Sequence, residues 1–130
     1  MAIRPGDTFI LKRGTGSTPH LWVVLWGPAG LADAYLIVHL TTVRPHTDRT
    51  VVMKAGEHPF IQHDTCAVYS DARRTTTEKL SAARQDGLLV PKAAATQELL
   101  DKLRGGLFLS PRTPHALVRM AIDEFGAVAP

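Results

Sequence analysis

From Cys66 to Leu80 the chain reads Cys-Ala-Val-Tyr-Ser-Asp-Ala-Arg-Arg-Thr-Thr-Thr-Glu-Lys-Leu, an apolar run that ends in a carboxylate and two guanidinium groups. Asp71 stands at the exit of the run, and Arg73, Arg74 and Thr75 follow at once. This grouping suits a phosphodiester, because an arginine fork matches phosphate oxygens bidentately and a carboxylate can hold or move a proton. The same spacing also suits a solvated turn, with Asp71 capping backbone amides and both arginines in water. Spacing alone favours the turn.

Six histidines raise the question of a metal: His20, His39, His46, His58, His63 and His115. The closest pair, His58 and His63, is separated by an odd number of residues, which a strand would place on opposite faces. Glu57 and Asp64 flank the pair, so a carboxylate–histidine site is conceivable, but hydrogen-bonded loop histidines are the commoner outcome. No metal and no cofactor is expected. Cys66 sits among apolar neighbours and reads as a small buried side chain rather than a nucleophile. A P-loop, a Gly-x-Ser-x-Gly elbow and a paired-cysteine zinc site are all missing from the sequence. Trp22 and Trp26 lie four apart on one predicted strand and should share a face, in the core, at a dimer interface or as a platform for unpaired bases.

Short apolar runs broken by turn residues must position these groups. Strands are expected at Thr8–Lys12, Leu21–Trp26, Ala34–Leu40, Arg49–Met53, Cys66–Ser70 and, more weakly, Gly87–Val90. Gly14-Thr-Gly-Ser-Thr-Pro19 reads as a flexible loop, and Ala55-Gly-Glu-His-Pro59 as a turn whose Pro-Phe continuation is a packing corner. After Pro91 the period changes: Leu99, Leu100, Leu103 and Leu107 form a helical stripe, with Gly105-Gly106 placed for a C-cap. A second helix is expected from Thr113, as N-cap before Pro114, to about Phe125, with a frayed tail from Gly126. The fold class is therefore mainly β: a small barrel of five to six strands with one or two C-terminal helices.

The chain has 130 residues, of which 45% are hydrophobic and 21% charged, so one domain spanning 1–130 with an ordinary core is expected. One cysteine permits no internal disulfide and suits a reducing compartment. No apolar run approaches the roughly 20 residues that span a bilayer, and the start has no signal core. A cytoplasmic protein without membrane contact is expected. The net charge of +3 suits a polyanionic partner without establishing one.

Asp71-Ala-Arg-Arg-Thr75 resembles the Asp-Gln-x-Arg-Thr motif of the MazF/PemK family of growth-inhibiting toxins. Arg4-Pro-Gly-Asp7 is similar to that family's opening Gly-Asp. Leu21-Trp-Val-Val-Leu25 falls where the family has an apolar strand after a long loop. His39-Leu-Thr-Thr42 resembles a strand ending in a Thr or Ser pair, and Gly87-Leu-Leu-Val-Pro91 with the following helix matches the order of its C-terminal part. The likeness covers residues 4–107, a barrel plus one helix, and leaves 108–130 as a helical extension.

The resemblance implies an SH3-like barrel, a homodimer, a cognate antitoxin partner and metal-independent cleavage of single-stranded RNA by 2′-hydroxyl attack. It implies a catalytic set of His20, Asp71, Arg74 and Thr42, with Arg73, Thr41, Tyr69 and Thr75 contacting the RNA. His20 stands where a gapless comparison puts a family arginine, and Tyr69 where some relatives carry another. In this assignment His20 moves a proton, Thr42 meets the scissile phosphate, Asp71 acts as base or orients His20, and Arg74 or Arg73 stabilises charge. A non-catalytic RNA- or protein-binding module on the same barrel is the alternative.

Overall fold

The computed structural model describes residues 2–12 and 19–130. All of the expected Gly14–Pro19 loop except Pro19 lies outside the described residues. Seven strands are present among them: β1 (Thr8–Leu11), β2 (Leu21–Ala29), β3 (Ala34–Thr42), β4 (Val52–Met53), β5 (Thr65–Ala67), β6 (Arg73–Thr76) and β7 (Leu89–Lys92). Three helices join them: α1 (Thr77–Gln85), α2 (Gln97–Leu109) and α3 (His115–Asp123).

β2 and β3 form the centre because both are long apolar runs that a sheet buries on two faces. Alternation sorts their side chains. Leu21, Val23, Leu25, Leu36, Val38 and Leu40 face one core, where Leu99, Leu100, Leu103 and Leu107 of α2 meet them. Trp22, Val24, Tyr35 and Ile37 face a second core with Phe9, Leu89 and, from α1, Leu80. The sheet therefore carries helices on both faces.

Strand order is β4-β5-β3-β2-β1-β7, with β6 also paired to β3. Every pairing is antiparallel. The mainly-β class with C-terminal helices stands, but the barrel is not closed: β4 and β7 end the path, and no pair among the described residues joins them. One side of β3 is shared by two partners in succession. β6 covers Ala34–Ile37 and β5 covers Leu40–Thr42. The run expected as a single strand, Cys66–Ser70, is thus cut short at Ala67, and a 3-10 turn at Tyr69–Asp71 leads into β6.

Several local expectations change for physical reasons. Trp22 and Trp26 do not share a face: a bulge shifts the β2–β3 register between Val24 and Trp26, so Trp26 packs with Phe108 on the α2 side. The fourth strand shrinks to Val52–Met53. α1 has only Leu80 buried, too little apolar periodicity to announce a helix, though Thr76 caps it by accepting from the Lys79 amide. α2 runs through Gly105-Gly106 instead of stopping there. Four buried leucines, each contributing about 1.5–3 kcal/mol, outweigh about 1 kcal/mol per helical glycine. α3 begins at His115, one residue after the expected start, with Pro114 as its cap and Thr113 buried. The last helix has a defined stop at Gly126. That residue takes φ +68°, and the Ala127 amide donates back to the Ala121 carbonyl at 2.8 Å, which closes α3.

Candidate functional site

β3 changes partner between Ile37 and Leu40, and His39 falls in that gap. The 3-10 turn fills it. The Val68 amide donates to the His39 carbonyl at 2.9 Å, which seats the turn against β3. Asp71, last residue of the turn, then reaches the imidazole: His39 Nε2 donates to Asp71 Oδ2 at 3.1 Å. An ionised carboxylate can only accept, so the proton sits on Nε2. Nδ1 of His39 is buried and has no hydrogen-bond partner among the described residues.

Around this pair the sheet assembles aromatic and cationic groups. Trp22 pairs with His39 across β2–β3, their ring centroids 4.7 Å apart. Arg73 pairs with Ile37 and lays its guanidinium over Trp22, Cζ 4.6 Å from the ring centroid, a cation–π contact. His20, two residues before Trp22, tilts against His39 with centroids 4.7 Å apart. Its Nδ1 donates to the Leu40 carbonyl at 3.1 Å, which leaves Nε2 with the lone pair on an exposed side chain. Burial lowers the His39 pKa below its ordinary value, the Asp71 bond opposes this, and His20 nearby adds to the lowering. His39 is therefore neutral at neutral pH, while the Asp71 side chain remains about half exposed (56%).

A pocket of about 540 Å³ opens beside His20. Thr41, Thr42, Arg44, Phe60, Gln62 and His63 are among its walls. Thr42 Oγ1 and His63 Nε2 are hydrogen-bonded at 2.8 Å. His58 is turned elsewhere, donating from Nε2 to the Ala93 carbonyl at 2.6 Å and accepting the Phe60 amide at Nδ1. The histidines that invited a metal are thus separately engaged. Among the described residues no three His, Cys, Asp or Glu side chains converge on one point.

The structure gathers His20, Asp71 and Arg73 around the His39 and Trp22 rings, with Asp71 bonded to His39 rather than to His20, and places Thr41 and Thr42 with His20 in the adjoining pocket. It takes three expected residues away. Arg74 lies on the opposite face of β6 and pairs with Glu124 at 2.9 Å. Tyr69 is fully buried and donates to the Leu103 carbonyl at 2.8 Å; burial raises its phenol above the ordinary value. Thr75 is buried opposite Tyr35. His39 was missed as a functional side chain, although it is the next residue after Tyr35 and Ile37 on one period-2 face. The Trp22–Arg73 contact had no signal, because β6 was not expected. Compared with models of protein families and with curated proteins, the chain matches none.

Proposed function

We propose that the protein is a metal-independent endoribonuclease that cuts single-stranded RNA by 2′-hydroxyl attack, as a divergent relative of the MazF/PemK toxins. The observation that carries this reading is an exposed imidazole, His20, with one nitrogen committed to the Leu40 carbonyl and the other free as a base, linked through the packed His39 and Trp22 rings to the Arg73 guanidinium. His20 Nε2 takes the proton of a ribose 2′-hydroxyl. The 2′-oxygen bonds to the adjacent phosphorus, the bond from phosphorus to the 5′-oxygen breaks, and that oxygen takes a proton from solvent. Arg73 offsets the charge that builds on the phosphoryl oxygens. Asp71 is a positioning residue: by holding Nε2–H of His39 it fixes the ring that His20 and Trp22 pack against. Thr41 and Thr42 line the adjoining pocket and would meet the RNA backbone.

The same reading makes the protein a cytoplasmic toxin that acts as a homodimer and is held by a cognate antitoxin. These parts rest on the resemblance in motif order. A small acidic reading frame beside the gene would support them.

The test is incubation of purified protein with a long single-stranded RNA in EDTA, with the ends mapped. Cleavage leaving 2′,3′-cyclic phosphates is expected, and His20→Ala should lower it at least about 100-fold. Asp71→Asn, which keeps an acceptor for His39, should retain more activity than Asp71→Ala. Undiminished cleavage by His20→Ala overturns the assignment. One observation favours a second reading, an RNA-binding module without catalysis: Tyr69, Arg74 and Thr75 serve the fold instead of the site. It predicts RNA binding that weakens steeply with salt while the RNA stays whole.

A further inference from the structure

The turn that walls the pocket on its far side is built to hold one aromatic ring outward. His58 is buried (3% exposed) and uses both ring nitrogens, donating to the Ala93 carbonyl and accepting the Phe60 amide at 3.0 Å. The Ile61 amide donates to the His58 carbonyl at 2.9 Å, and Gln62 Nε2 donates to the Pro59 carbonyl at 3.0 Å. Ile61 is buried, yet Phe60 between these anchors is 41% exposed. The backbone is fixed on both sides of Phe60, so little conformational freedom is lost when something packs on its ring.

What surrounds that ring narrows the chemistry of its occupant. Leu40 and Ile61 give apolar walls, while Thr41 and Gln62 are polar members of the lining. The pocket lining contains no carboxylate but includes Arg44, His20 and His63. The Arg44 backbone is tied into the Thr47 turn, and its guanidinium bonds to no acceptor among the described residues. A flat aromatic group with a polar edge and an attached anion matches all three features, and an unpaired nucleotide is such a group. The pocket also shares His20 with the site described above, so an RNA strand bound at one would run into the other.

We infer that this pocket is a nucleobase subsite, taking one unpaired base of single-stranded RNA on the face of Phe60 with Arg44 on an adjoining phosphate. The inference rests on the ribonuclease reading and adds to it the element that selects the base. Its test uses an eight-nucleotide RNA with 2′-O-methyl riboses, which block the nucleophile, so binding is measured without cleavage. Affinities are compared for the full oligomer and for versions lacking one base at a time, with wild type, Phe60→Ala and Phe60→Leu. Removing the base at one position should weaken wild-type binding by roughly 5- to 100-fold, the range of base–aromatic stacking. Phe60→Ala should lose a similar factor on the full oligomer and nothing further when that base is gone. Phe60→Leu, which keeps an apolar side chain without the ring, shows that any loss is not a folding defect.

Equal losses by Phe60→Ala on the full and base-less oligomers, or no loss at all, overturn the subsite. If wild type nevertheless cuts RNA, the ribonuclease reading survives that result. Wild type that binds no oligomer and cuts no RNA overturns both, and binding of an acidic peptide in place of RNA would do the same.

Discussion

Gly105 and Gly106 are neighbours in α2, and alanine at each should move stability in opposite directions. A Cβ on Gly105 meets nothing within 4 Å, whereas one on Gly106 would overlap the Tyr69 hydroxyl and Val51 Cγ2. Alanine gains about 1 kcal/mol over glycine inside a helix. At Gly105 that gain is the whole effect, so Gly105→Ala should stabilise by about 1 kcal/mol. At Gly106 overpacking costs about 1–3 kcal/mol. Forcing Tyr69 off its bond to the Leu103 carbonyl costs about 1–3 kcal/mol more. With the helix gain subtracted, Gly106→Ala should destabilise by about 1–5 kcal/mol. Urea unfolding of both variants, with the slope checked for constancy, reads the signs directly. Tyr69→Phe removes the hydroxyl that the new Cβ meets, so the double variant should lose less than the sum of the two single ones. Tyr69 also opens the turn that carries Asp71. The His39 ring signals in NMR should therefore shift in Gly106→Ala and stay in place in Gly105→Ala. Gly106→Ala at or above wild-type stability would refute the reasoning.

His39 has a lowered pKa in the folded chain, so between that value and about 6.5 the unfolded chain binds more protons. Stability contributed by neutral His39 is present above about pH 6.5 and is lost as pH falls toward the folded value, by up to about 1.4 kcal/mol per pH unit. Urea midpoints from pH 5 to 8 should show this slope, and His39→Gln should flatten it; identical slopes would remove the assignment. Arg74→Ala breaks a partly exposed pair with Glu124, so it should cost under about 1 kcal/mol and leave RNA handling alone. Arg73→Ala should weaken RNA binding and lower its salt dependence by about one counterion, and a reversed order between the two arginines would place the phosphate on the other face.

Where one periodicity dominates, the chain could be read directly. The apolar runs of β2 and β3 and the leucine stripe of α2 lie where their spacing predicts them, because burial of many apolar groups overrides local detail. Gly105-Gly106 misled because glycine was read as a stop signal, when Gly106 is needed for close approach of Tyr69. The two tryptophans misled because a bulge changes which face a residue takes, and nothing in Leu-Trp-Gly-Pro announces its position. In the site, His20, Asp71 and Arg73 were legible as residue types able to handle protons and phosphate. Their geometry was not, since it depends on β6, a strand of only four residues, two of them arginine. That short strand decides that Arg73 faces Trp22 and Arg74 faces Glu124.

The site exists because β3 outlasts its first partner. Had the chain from Cys66 to Thr76 continued as one strand, Asp71 and Arg73 would stand on the same face about 6.6 Å apart along β3. Each would then face its own cross-strand neighbour. Instead β5 and β6 leave Val38 and His39 without a strand partner on the side of β3 away from β2, and the 3-10 turn folds Asp71 into that gap. The turn is anchored from two sides, by the Val68 amide on the His39 carbonyl and by Tyr69 on α2. A carboxylate is thereby held on a buried imidazole while the guanidinium two residues later lies on Trp22. Charges of opposite sign sit close together without pairing with each other, because each is already committed to a ring. That separation leaves the Arg73 guanidinium unpaired with any carboxylate among the described residues and open to a phosphate.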